Sequence, residues 1–82
     1  MKLLKFQADW CGPCKMQTSV LNQIKEKINV PIEVIDIDIQ MDLARKYDVR
    51  AVPTLVLINE EGEIKRHTGV LREPELLKFL GP

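Results

Sequence analysis

The chain has 82 residues, 12 basic and 12 acidic side chains that cancel, two cysteines and one histidine. That length fits one domain, spanning 1–82, with a modest core. Balanced charge without a basic stripe interleaved with aromatics excludes a nucleic-acid surface, and no segment approaches the roughly 18 apolar residues of a membrane span.

The first element is a strand over Lys2–Gln7, with Leu4, Phe6 and Ala8 alternating on one face and Leu3 on the other. After an Ala8–Pro13 turn, a helix is expected from Gly12 to Ile28, with Pro13 in its first turn, where the missing N–H is not needed. Met16, Val20, Leu21, Ile24 and Ile28 form its apolar stripe; Asn29 and Pro31 stop it. Ile32–Ile37 reads as a second strand, and apolar residues on both of its faces predict a central or covered position. A short helix over Met41–Tyr47 presents Leu43, Ala44 and Tyr47 inward, with Asp42 and Lys46 spaced to pair. Thr54–Ile58 is a buried strand. A turn at Asn59–Gly62 joins it to Glu63–Thr68, whose Lys65, Arg66 and His67 suit an edge. Glu73–Leu80 is the last helix, packing through Leu76, Leu77, Phe79 and Leu80. The order βαβαββα predicts an α/β fold: a four-stranded mixed sheet with helices on both faces.

The chemistry concentrates in Trp10-Cys11-Gly12-Pro13-Cys14-Lys15. Two thiols separated by two residues can close a small disulfide ring across one helical turn. A cysteine at a helix N-terminus faces free backbone N–H groups and the positive end of the dipole, which lowers its pKa and makes it a nucleophile. Cys14, one turn in, is then placed to attack a mixed disulfide formed at Cys11. Structural zinc would need four ligands, and only Cys11, Cys14 and His67 offer nitrogen or sulfur, so no metal is expected. Bridging so short a loop removes little unfolded-chain entropy, which makes stability a weak reason for the pair.

The segment Ala8–Met16 resembles the active-site segment of the thioredoxin family. Val49-Arg50-Ala51-Val52-Pro53-Thr54-Leu55 resembles the loop that carries a cis-proline opposite the cysteines, and Gly69 resembles the glycine after the last strand. The likeness runs from about Phe6 to Leu80, and the family usually carries a further strand and helix before this first strand. It implies a minimal thioredoxin fold and a protein-disulfide reductase without a bound cofactor. Cys11 is then the attacking thiol and the more exposed one, and Cys14 the resolving thiol. Gly12 and Pro13 shape the turn. Substrate lies in extended form across Trp10, Val52, Pro53, Gly69 and Val70. Electrons return from a flavoprotein disulfide reductase or glutathione. The protein is expected to be a monomer with no membrane partner, and the absence of a signal-peptide pattern points to the cytoplasm.

Lys5 departs from the family, which usually buries an aspartate there to help proton transfer at the resolving cysteine. A half-buried lysine would favour the thiolate and act in support of the site; alternatively it snorkels to solvent. Glu33 and Asp36 are its available partners. Other functions stay open beside the reductase. Glutaredoxin-like use of glutathione suits the short chain, with Arg50, Lys15 and Glu73 as its thin anchor set. A redox-silent binding module and an iron–sulfur cluster bridged between two chains complete the alternatives.

Overall fold

In the computed structural model, which describes residues 1–81, one sheet carries strands in the order β2-β1-β3-β4. The elements are β1 (Lys2–Gln7), α1 (Gly12–Ile24), β2 (Ile32–Asp36), α2 (Met41–Lys46), β3 (Thr54–Asn59), β4 (Gly62–Thr68) and α3 (Glu73–Leu80). The α1 crossover makes β1 and β2 parallel, with Lys5 opposite Val34. β1 and β3 run antiparallel, with Lys5 opposite Leu55, and β3 and β4 form the antiparallel hairpin.

Alternation along β1 sorts the core into two layers. Leu3 faces Leu21 and Ile24 of α1, Leu76 and Leu80 of α3, and Leu55 and Leu57 of β3. Leu4 and Phe6 face the other way, against Ile35 and Val56, with Leu43 and Tyr47 from the α2 side packed on them. Helices therefore cover both faces of the sheet, α1 and α3 on one and α2 on the other. The β-branched and leucine-rich β3 sits between β1 and β4, where it is covered from both sides.

Four expectations change. Helix α1 ends at Ile24 rather than Ile28: the Lys27 amide donates to the Ile24 carbonyl at 2.7 Å, a tight turn that closes the helix before Pro31. Ile28 still packs against the core from this turn. Met16 lies off the buried stripe and is 47% exposed, because the stripe runs through Cys14, Gln17, Leu21 and Ile24. β2 is an edge strand, not a covered one, and Val34 is 52% exposed; only its Ile35 side is sealed by the sheet's second layer. Asp42 does not pair with Lys46 among the described ion pairs. Lys46 lies over the Tyr47 ring, at 5.7 Å from its centroid.

Candidate active site

The site forms where β1 gives way to α1. The Cys11 amide donates to the Ala8 carbonyl at 3.1 Å, turning the chain out of the strand. Cys11 is then the N-cap of α1: its backbone is extended and its sulfur accepts the Cys14 amide at 3.1 Å. Pro13 occupies the first turn, where it removes no helical hydrogen bond. Cys11 and Cys14 are joined as a disulfide with Cα atoms 5.2 Å apart. They are 4% and 2% exposed, so the expected difference in exposure is slight. Ala8 completes their cluster, with Ile37 and Val52 packed against it.

The facing loop is tied to the sheet by its own backbone. The Val52–Pro53 bond is cis, as the loop's likeness implied. The Thr54 hydroxyl donates to the Ala51 carbonyl at 2.7 Å, and the Gly69 amide donates to the Pro53 carbonyl at 2.8 Å. Gly69 has a φ of +104°, which a side chain would resist, and this turns the chain from β4 across the loop. Val70 follows, half-buried. Trp10 is 69% exposed, and its indole N–H donates to Asp38 at 2.9 Å. The structure thus brings Cys11, Cys14 and Val52 into contact and joins Pro53 to Gly69. Trp10 stands at the surface beside them, held from the β2–α2 loop. Gly12 is exposed at the start of α1.

Sequence reasoning misses Gln17. It is fully buried, and its amide group serves both sides of one peptide segment: Nε2 donates to the Leu71 carbonyl at 3.1 Å and Oε1 accepts the Leu71 amide at 2.7 Å. Gln17 therefore fixes the stretch that carries Gly69 and Val70 against α1. The signal is spacing: counted from Cys14, the buried positions fall at Gln17, Leu21 and Ile24, whereas a stripe restricted to apolar residues steps to Met16 instead.

Lys5 does not snorkel. It is 1% exposed, and its ammonium nitrogen donates to Gln7 Oε1 and Thr18 Oγ1. Thr18 Oγ1 in turn donates to the Cys14 carbonyl at 3.0 Å. The two carboxylates available in sequence are engaged elsewhere: Glu33 pairs with Lys2 at 2.8 Å, and Asp36 accepts the Asp38 amide at 2.8 Å. Burial without a counter-charge pulls the Lys5 pKa below its usual value of 10.5. Two of the three residues in the thin anchor set for glutathione are engaged elsewhere: Arg50 pairs with Asp48 at 3.0 Å and Glu73 with Lys27 at 3.1 Å.

A disulfide spanning the first turn of a helix, at the C-terminal end of a central strand and packed under the Val52 loop, defines a thiol–disulfide oxidoreductase. The thioredoxin family model matches residues 1–81, and the chain belongs to that family. It is 38% identical to a thioredoxin of Chlamydia trachomatis over 79 residues, covering 95% of this chain and 78% of that one. A thioredoxin of Mycobacterium tuberculosis is 35% identical over 80 residues, covering 95% and 69% of the two chains. Among solved structures, a single-site mutant thioredoxin from Halobacterium salinarum superposes with a TM-score of 0.89 at 37% identity, covering 95% of this chain and 69% of that one. The protein is a protein-disulfide oxidoreductase whose redox-active pair is Cys11 and Cys14, and thioredoxins act on disulfide-containing protein substrates. Among the described residues no helix is long and apolar enough to cross a membrane.

Proposed function

We propose that Cys11 is the attacking thiol and Cys14 the resolving one, in a protein-disulfide reductase regenerated by a flavoprotein disulfide reductase or by glutathione. The observation that carries this assignment is the N-cap position of Cys11, whose sulfur accepts the Cys14 amide at 3.1 Å. That amide and the helix dipole favour a negative sulfur at this place, and the thiolate is the nucleophile. Cys11 sulfur attacks one sulfur of the substrate disulfide, whose other sulfur leaves as a thiolate and takes up a proton. Cys14 then attacks Cys11 in the mixed disulfide, releasing the second substrate thiol and restoring the Cys11–Cys14 bond. An external dithiol or thiol pair supplies two electrons to reopen it.

Extended substrate lies over Trp10, Val52, Pro53, Gly69 and Val70. Support comes from the exposure of Trp10, the packing of Val52 on the cysteine cluster and the backbone bond from Gly69 to Pro53. Monomeric action in the cytoplasm fits a pair that must be returned to the dithiol after each turnover.

The test is reduction of insulin disulfides with dithiothreitol as the terminal reductant, coupled to trapping. Cys14→Ser should accumulate a mixed disulfide with the substrate, and Cys11→Ser should abolish turnover and trap nothing. The reverse trapping pattern would overturn the assignment of roles.

A further inference from the structure

Lys5 is the one charged side chain in the buried core of the described residues, and it lies beneath the middle of α1, bonded to Thr18 one turn beyond Cys14. Its neighbours are neutral. β1 contributes Gln7 and α1 contributes Thr18, both accepting from its nitrogen, while Leu55 of β3 and Val34 of β2 sit opposite it in register. A pocket of about 190 Å³ opens from this point between α1 and β2, with Lys5, Thr18, Leu21, Asn22, Lys25 and Val34 on its walls. Lys25 is the second charge there and is a cation too. Glu33 is turned to Lys2 and Asp36 to the Asp38 amide, so no carboxylate among the described residues pairs with the Lys5 amine.

A buried cation without a counter-ion is costly, and any anion that forms nearby relieves that cost. The group on α1 that changes charge in the reaction cycle is the cysteine pair, one turn before Thr18. As a disulfide it is neutral; as a dithiol it can carry a thiolate. Thr18 ties the two places together, accepting from Lys5 and donating to the carbonyl of Cys14. We propose that Lys5 sets the dithiol–disulfide balance of the Cys11–Cys14 pair, its buried amine stabilising the thiolate that the pair carries only in the reduced form. Lys5 is thus a positioning residue, acting through the field it places under α1.

The balance is complete for reduction by an external dithiol. Its two sulfurs close as a disulfide and give up two electrons and two protons. The Cys11–Cys14 bond breaks and both sulfurs take the electrons. One proton ends on a cysteine sulfur. The other goes to the Lys5 amine when that amine starts neutral, and to solvent when it starts as ammonium. In both cases the final state holds one thiolate and one ammonium.

The inference rests on Cys11–Cys14 being the working pair. The experiment equilibrates the full chain with reduced and oxidised dithiothreitol at neutral pH and measures the dithiol fraction by alkylation, for wild type, Lys5→Met, Lys5→Asp and Thr18→Ala. Thiolate absorbance is titrated in parallel. Lys5→Met should shift the equilibrium toward the disulfide by about tenfold, the low end of the effect of losing one nearby opposite charge. Lys5→Asp should shift it further in the same direction, with Thr18→Ala in between wild type and Lys5→Met. The midpoint of the thiolate titration should rise in the same order. Equal equilibria and equal thiol titrations across the variants would overturn the proposal, as would a shift toward the dithiol in Lys5→Asp. Insulin turnover, read on the same wild-type sample, separates the two readings: its absence sinks the reductase, whereas unchanged equilibria in an active protein sink only the role of Lys5.

Discussion

The two ends of α1 cover the same sheet with opposite chemistry. Under its last turns, Leu21 and Ile24 meet Leu3, Leu55, Leu57 and Leu76 in an all-apolar cluster. Under its first turns lie a disulfide, an amide that binds backbone, and a lysine bonded to a glutamine and a threonine. The apolar end holds the helix on the sheet by area removed from water. The polar end fills buried volume with groups that each need a partner, which is weaker as glue. Two roles therefore separate along a single helix: Gln17, tied to the Leu71 peptide, and Ile24, which only packs, lie about two turns apart.

Substitution at the apolar end should cost most. Ile24 is fully buried, and Ile24→Ala should destabilise the oxidised protein by about 3 kcal/mol through lost burial and a residual cavity. Denaturant unfolding checks this, and insulin reduction by the fraction still folded should be unaltered. Gln17→Leu comes next. It keeps the volume but strips both partners from the Leu71 peptide, at about 2 kcal/mol. Unlike Ile24→Ala, it should also loosen the stretch carrying Gly69 and Val70. KM for a protein disulfide should therefore rise several-fold while turnover of a small aromatic disulfide stays unchanged. Equal effects on both substrates would mean that Gln17 serves packing alone.

What is legible in the sequence follows the same division. Periodicity places every strand and helix, because most of the chain obeys the rule that buried positions are apolar. β1 is buried from Leu3 to Phe6 and apolar there except at Lys5, β3 is a continuous apolar run, and α3 turns on Leu76 and Leu80. The cysteine spacing carries the chemistry, and the neighbouring motifs carry the family. Legibility ends where the rule is broken. Gln17 yields to Met16 because a buried amide looks polar until its partner, 54 residues away, is known. β2 looks covered because Val34 has the character of a core residue, yet edge position depends on strand order, which no local pattern encodes. Lys5 stands between two fates in the sequence, since its partners Gln7 and Thr18 come from different elements.

The smallest effect separates the polar end from the apolar end by sign. Lys5→Met should stabilise the oxidised protein at neutral pH, by about 1 kcal/mol, because a buried charge without a counter-ion is replaced by a side chain of similar length that needs none. Gln7 and Thr18 are near enough to solvent for water to take up the bonds they lose. The pH dependence fixes the cause. The folded pKa of Lys5 lies below the unfolded value of 10.5, so between the two the unfolded chain binds more protons and stability rises with pH. Below the folded pKa the wild type carries the whole penalty; above the unfolded one the amine is neutral in both states and the penalty is gone. The advantage of Lys5→Met should therefore be greatest from acid to the folded pKa and fade as pH climbs through the unfolded value. Unfolding of both proteins as disulfides, followed across that range, measures it. An advantage that stayed constant with pH would trace the gain to packing and not to charge.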